Sequence, residues 1–251
     1  MRITLLGTGT SYPDPERVQS GLLVETGNDS LLVDIGSGVL HRLTQSGVDL
    51  GSIEDVFITH LHVDHCSDLF TLIQTLTMIG HKRTLNVTGP PALPGWGECL
   101  LREAYGYLGD RANVRFVAVS ADSELRIGDL LVRTTSALHG TMYTLSLRLE
   151  HADGSVFISS DTAPCESVLR LARGADVMIH ECNWLDGEHP PAVHTSPSEL
   201  RGVVAECRPG EVVITHLGPD VVAHEEQVIE TVRGDLEAMV TMGRDLLSIG
   251  L

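Results

Sequence analysis

The stretch Thr59-His60-Leu61-His62-Val63-Asp64-His65 decides how this sequence is read. Three His and one Asp fall within six residues, in a chain where 12 of 251 residues are His, so chance rarely gives the pattern. The stretch follows Val56–Thr59, an apolar run that predicts a buried strand, and so sits on the turn at that strand's C-terminal end. His60 and His62 are two apart and point the same way while the backbone stays extended. Asp64 and His65 follow as the turn tightens. Neutral imidazoles with a carboxylate suit a borderline cation such as zinc. One strand and turn can therefore serve two metal sites, His60 and His62 for one, Asp64 and His65 for the other. The plainer alternative is a polar turn of hydrogen-bonded histidines.

Four residues fill at most half of two coordination shells. Further candidates lie at the ends of other predicted strands: His139 after Leu130–Thr135, Asp161 after Val156–Ser159, and His216 after Val213-Ile214-Thr215. Three such residues at one structural position argue for a common face. Asp161 has two oxygens and could bridge two cations, the usual device of two-metal hydrolases. Taken singly, Asp161 could instead cap the helix near Cys165, and His139 could be a turn residue before Gly140.

The surrounding chain reads as ordinary globular sequence, 42% hydrophobic and 20% charged. Strands are predicted at Arg2–Leu6, Leu22–Glu25, Leu31–Asp34, Leu85–Thr88, Val114–Val119, Leu145–Leu149, Val177–Ile179 and Val212–Thr215. A hairpin turn is predicted at Gly27-Asn28-Asp29. Helices are predicted at Val39–Gln45, Leu69–Ile79, Gly97–Leu108, Glu166–Arg173, Ser198–Cys207 (capped by Ser196 or Ser198) and Gln227–Met239. The second half repeats the rhythm of the first, strands and then strands alternating with helices. No Ser/Gly-rich linker separates the halves, so residues 1–251 read as one α/β domain of two sheets with outer helices.

Composition narrows the partners. Asp and Glu number 34 against 17 Lys and Arg, a formal charge of −17 that repels polyanions. Aromatic residues are 4% of the chain, too few for a base-stacking platform. The N-terminus does not read as a secretory signal and no run approaches a membrane span. The five Cys form no C-x-x-C pair, so reduced thiols in a cytoplasm are expected. Cys66 is expected to be a buried thiol, Met78 and Met142 core or pocket wall, and His41, His81, His151, His189 and His224 surface residues. Glu225-Glu226 reads as a solvated helix start.

Several segments together resemble metallo-β-lactamase-fold hydrolases, and within them the tRNase Z-like branch with its phosphodiesterases and some arylsulfatases. They are Leu6-Gly7-Thr8-Gly9-Thr10-Ser11 with Pro13 and Arg17, Leu31–Gly38, His60–His65, Ser160-Asp161-Thr162, His180-Glu181, His194-Thr195 and Thr215-His216-Leu217. The resemblance spans nearly the whole chain. It implies an αββα sandwich of two mixed β-sheets flanked by helices, with metals at one edge. It implies one metal held by His60, His62, His139 and Asp161, a second held by Asp64, His65, Asp161 and His216, and a bridging hydroxide. Zinc is the expected ion, manganese or iron the alternatives. The resemblance further implies that Asp34 orients the His cluster and that His194 stabilises or protonates the leaving oxygen; in the reaction that follows, Asp64 could accept a proton or hold the nucleophile in line. Glu181 would orient His194 or the metal shell, and Thr59 and Thr215 would hydrogen-bond within the site.

The implied activity is hydrolysis of a small phosphodiester, cyclic or linear. Carboxylic ester, lactone, thioester or aryl sulfate hydrolysis is the alternative. The branch's tRNA-processing members carry a long arm, expected between the strands after His139. Here His139 and Asp161 lie 22 positions apart, enough for two strands and their turn only. tRNA 3′ processing is therefore disfavoured, as is a catalytically dead binding module, since all seven ligand positions are filled. The expected partner is a small anionic ester, with no membrane and no nucleic acid. Assembly as a homodimer is left open.

Overall fold

The computed structural model describes residues 1–27 and 29–251. Asn28, at the centre of the expected hairpin turn, lies outside the described residues. One sheet contains β1 (Arg2–Gly7), β2 (Gly21–Glu25), β3 (Ser30–Val33), β4 (Asp55–Phe57), β5 (Leu85–Gly89) and β6 (Val114–Ala118). The other contains β7 (Glu124–Ile127), β8 (Leu130–Ser136), β9 (Leu145–His151), β10 (Gly154–Ile158), β11 (Val177–Cys182), β12 (Glu211–Leu217) and β13 (Met239–Met242). The last strand, β14 (Ser248–Gly250), returns to the first sheet and pairs with β1. The sheet orders are β14-β1-β2-β3-β4-β5-β6 and β13-β12-β11-β10-β9-β8-β7. Both sheets are antiparallel from one edge to the middle and parallel beyond it, β3 to β6 in one and β10 to β13 in the other.

Three apolar layers hold this together. Ile3, Leu5, Leu31, Val33, Phe57, Leu147, Val156, Ile158, Ile179 and Val213 pack between the sheets. On the first sheet's outer face, α1 (Val39–Gln45), α2 (Val63–Cys66), α3 (Leu69–Met78) and α4 (Leu93–Glu103) bury Leu40, Leu43, Leu69, Leu72 and Leu93. On the second, α5 (Glu166–Ala172), α6 (Pro197–Cys207), α7 (Pro219–Ala223) and α8 (Glu225–Arg233) bury Val168, Leu200, Val204, Val221 and Val228. Each fully buried side chain of this kind is worth about 1.5–3 kcal/mol against exposure. The arrangement is the αββα sandwich that the resemblance implied. No helix among the described residues is long and apolar enough to cross a membrane.

Some elements depart from the sequence reading. The helix expected at Gly97–Leu108 runs from Leu93 to Glu103, because Pro94 sits in its first turn, where a missing N–H costs nothing. The helix expected to reach Met239 stops at Arg233, where Gly234 takes a positive φ of 46°. Met239 instead opens β13. Three short strands, β7, β13 and β14, were not anticipated. Met78 is no core residue: it is 74% exposed at the end of α3. His41 and His224 are exposed as expected, but His81, His151 and His189 are half-buried. His151 lies between Asp129 and Asp153, and His189 packs at a tilt against Trp184. Ser196 and Glu199 form a reciprocal capping box on α6. All five Cys are free, with Cys66 buried.

His180 lies on β11, two residues from Met178 and from Cys182, and so shares their helix-packed face. Its Nδ1–H donates to the Glu181 carbonyl at 2.8 Å, and burial pushes the imidazole down to about 4. Above pH 6.5 both folded and unfolded forms are neutral there. As pH falls from 6.5 towards 4, the unfolded chain takes a proton that the folded chain refuses, and stability drops by up to ~3 kcal/mol. Urea denaturation of a His180→Gln variant at pH 7 and pH 4.5 should show a smaller acid loss than the parent. Equal losses would contradict the assignment.

Candidate metal centre

The strand ends build the centre. β4 ends at Phe57, and the chain turns through Thr59 and His60 into α2, which carries Asp64 and His65. His139 follows β8, Asp161 follows β10, and His216 lies near the end of β12. All seven expected positions come together. One oxygen or nitrogen from each of His60, His62, His139 and Asp161 lies within 4.8 Å of the others, and the same holds for Asp64, His65 and His216. A third such group joins Asp161, His194 and His216. All of these side chains except that of His62 are buried.

Hydrogen bonds on the far side of the rings assign the tautomers. His65 Nδ1–H donates to Asp34 Oδ2 at 2.7 Å, leaving the Nε2 lone pair towards the centre. His139 Nδ1–H donates to the Val193 carbonyl at 2.8 Å. The Thr59 hydroxyl donates to Asp34 Oδ2 at 2.8 Å, so Thr59 Oγ1 accepts from His60 Nδ1–H at 3.1 Å. Ser160 Oγ donates to the same Thr59 oxygen at 2.8 Å, and the Thr59 amide donates to Asp34 Oδ1 at 2.8 Å. Asp34 thus orients the cluster as expected. Thr59 takes part too, whereas Thr215 makes no side-chain hydrogen bond among the described residues.

The inward nitrogens meet each other. His62 Nδ1 lies 3.1 Å from His60 Nε2 and 3.1 Å from His139 Nε2. Among the described residues, buried His65 Nε2, His216 Nδ1 and Asp161 Oδ1 have no hydrogen-bond partner. His65 Nε2 is 3.3 Å from Asp161 Oδ1, and His216 Nε2 is 3.4 Å from both Asp161 Oδ2 and Asp64 Oδ2. Lone pairs and carboxylates converging out of water fit a cation between them. Burial pushes His60 well below its ordinary value, and neighbouring His65 adds to that. Burial alone would lower His65, but Asp161 and Asp34 hold it well above. Burial alone would raise Asp161, but His216, His65 and His60 hold it well below. These opposed shifts favour positive charge at the centre, which a divalent ion would supply.

His194 and Glu181 adjoin the cluster. His194 Nδ1 and Glu181 Oε1 are 2.7 Å apart, and the His194 ring stacks on that of His216 at 5.4 Å. The Glu181 carboxyl accepts from the amides of Thr162, Asn183 and Thr195. Burial, and next the charge of Asp161, raise Glu181 well above the usual carboxylate range, while burial lowers His194. Glu181 thus contacts His194 directly and also holds the Thr162 amide, next to Asp161.

The sequence reading missed several supports. Ser160 and the Val193 carbonyl hold rings, with the pair Ser159-Ser160 ahead of Asp161 as the only hint. Asp34, Ser160 and His216 all take positive φ, 60°, 54° and 50°, a conformation that costs non-glycine residues and concentrates at functional sites. Asp and His adopt it more readily than most residues, but too seldom for the sequence alone to place it. Gly36 is the counterpart: a Cβ there would stand 2.0 Å from the Asp64 carbonyl oxygen.

Fold and cluster together define a metallo-β-lactamase-fold hydrolase. The family described as anti-Pycsar protein Apyc1 matches residues 1–232, and the chain belongs to that family. Ribonuclease Z of Mycolicibacterium paratuberculosis is 30% identical over 98% of this chain and 96% of its own. Among solved structures, the metallo-β-lactamase-fold protein YhfI from Bacillus subtilis superposes with a TM-score of 0.84 at 24% identity, covering 99% of this chain and 98% of its own. A diphosphatase of the PhnP family superposes with a TM-score of 0.79 at 18% identity, covering 100% of this chain and 97% of its own.

Gly36→Ala should push the Asp64 backbone away from its place. The expected cost is about 1–3 kcal/mol of stability. Weaker zinc retention against a chelator should accompany it. Unchanged melting and zinc retention would show that the close approach carries no constraint.

Proposed function

We propose that this chain hydrolyses a small phosphodiester, cyclic or linear, with two divalent ions, zinc first among them. His60, His62, His139 and Asp161 would hold one ion; Asp64, His65, His216 and the second oxygen of Asp161 would hold the other. The observation that carries the reading is the convergence of inward-facing ring nitrogens on two carboxylates, with the His194–Glu181 pair alongside. Bound ions would supply an acidified water as nucleophile and offset charge on the phosphoryl oxygens.

The chain's own groups supply the rest. The Asp64 carboxylate, next to the His65 and His216 nitrogens, is placed to hold the nucleophile and take its proton. Glu181, buried and inclined to keep a proton, shares it with His194 Nδ1 across 2.7 Å. With that proton on Nδ1 or on Glu181, His194 Nε2–H can donate to the leaving oxygen. Asp34 and Val193 fix the rings so that no reorientation is needed during reaction.

The family description supports a biological setting for this activity: antagonism of a Pycsar system through removal of a small phosphodiester. Kinship with ribonuclease Z supports a second reading, cleavage of tRNA precursors. Against it, the connection from His139 to Asp161 is filled by β9 and β10, leaving no room for an arm. A charge of −17 also opposes tRNA.

Zinc- or manganese-loaded protein should cleave bis-4-nitrophenyl phosphate. A precursor tRNA with a 3′ trailer should be cut poorly, and efficient single-site cleavage would reverse the order of the readings. His62→Ala should lower metal-dependent turnover about 100-fold or more; unchanged turnover would reject His62 as a ligand. His194→Ala should lower kcat most for aryl phosphodiesters with poor leaving groups. An equal loss across leaving groups would remove its role as the acid.

A further inference from the structure

Beside the cluster lies an open groove of about 610 Å³, walled by the loop after β11, by Thr10–Tyr12 and by the turn Gly218–Asp220. That volume is in the range of small-molecule sites. Aromatic rings join it to the centre: Trp184 stands edge-on to His194, ring centres 5.0 Å apart, and His194 stacks on His216. Through Trp184 the groove therefore adjoins His194, the group proposed to meet the leaving oxygen. His189 packs against the Trp184 indole at a 32° tilt, ring centres 4.5 Å apart. Tyr12 offers a second aromatic surface, 66% exposed.

The groove's charges have one sign. Asp186, Glu188 and Asp220 line it, and no Lys or Arg does among the described residues. Asp186 is already engaged, accepting from the Ser198 amide and hydroxyl, while Glu188 and Asp220 are exposed. A single negative charge on a phosphodiester can be met at the metal cluster. A second one on the leaving group would face these carboxylates with no compensating cation.

We infer that this groove receives the leaving alcohol of the substrate and selects a flat ring that is neutral or cationic over one that is anionic. The inference rests on the phosphodiester reading and narrows it. The substrate is a monoanionic diester whose leaving group is an uncharged aromatic or heteroaromatic alcohol, or one carrying such a ring. Leaving groups that continue as a polynucleotide or end in a further phosphate are rejected by like charge. Trp184 provides a stacking face and the acidic rim prefers ring N–H donors.

The test compares methyl 4-nitrophenyl phosphate with methyl 3-carboxy-4-nitrophenyl phosphate, whose leaving phenols have similar acidity, on the metal-loaded enzyme. The neutral phenol should be preferred by about tenfold or more in kcat/KM, mainly through KM. The exposed double substitution Glu188→Lys with Asp220→Lys should shrink that preference several-fold, and Trp184→Ala should raise KM more than it lowers kcat. A second readout needs no hydrolysis. In a Trp96→Phe background Trp184 is the remaining indole of the chain's two. Adenosine and benzamidine should quench its fluorescence saturably, and benzenesulfonate should not. Saturable quenching in a protein that cleaves no diester would sustain the groove as a ring site while removing the phosphodiesterase reading. Equal cleavage of the two methyl esters with no quenching by adenosine would overturn the groove and leave the phosphodiesterase reading standing.

Discussion

Imidazole lone pairs and carboxylate oxygens pressed together away from water repel one another, and a cation is what makes such a cluster stable. Five His and two Asp from distant parts of the chain are in that position here. The hydrogen bonds to Asp34, Thr59 and Val193 deepen the effect by placing the ring protons outside and the lone pairs inside. The same bonds remove the rotational freedom that the rings would otherwise lose on binding an ion.

The sandwich exists, from the site's point of view, to bring strand ends to one edge. Parallel strands in both sheets end at this edge, so a turn after β4, a turn after β10 and the end of β12 meet without long loops. Backbone economy has a cost there. Asp34, Ser160 and His216 accept left-handed conformations, and Gly36 gives up its side chain so that the Asp64 carbonyl can pack against it. The apolar layers on both sides of each sheet supply the stability that offsets this strain.

Much of this was legible in the sequence because metal chemistry and strand ends leave dense local marks. The His60–His65 run, Asp161 after an apolar strand and His216 after another could be placed at one edge by pattern alone, and the resemblance then implied how they pair. Less was legible where the decisive contact is between distant backbone atoms. Val193 offers only a carbonyl, which any residue could supply, and the positive φ of His216 leaves too weak a mark in the sequence to be read. β13 and β14 are short and follow a helix whose apolar spacing runs past Gly234, so the helical period masked the strand at Met239. Met78 was misplaced because helical spacing at the last turn of α3 does not say whether a neighbour covers it. His189, expected at the surface, is half-buried because Trp184 reaches it.

Metal stoichiometry addresses the central proposal most directly. Protein dialysed against trace zinc and analysed by inductively coupled plasma mass spectrometry should retain about two divalent ions per chain. Asp161→Ala, which removes the carboxylate facing both ligand groups, should bring retention below one while the fold persists by circular dichroism. Parent protein that retains no stoichiometric metal, or an Asp161→Ala protein that retains as much as the parent, would contradict the two-ion centre.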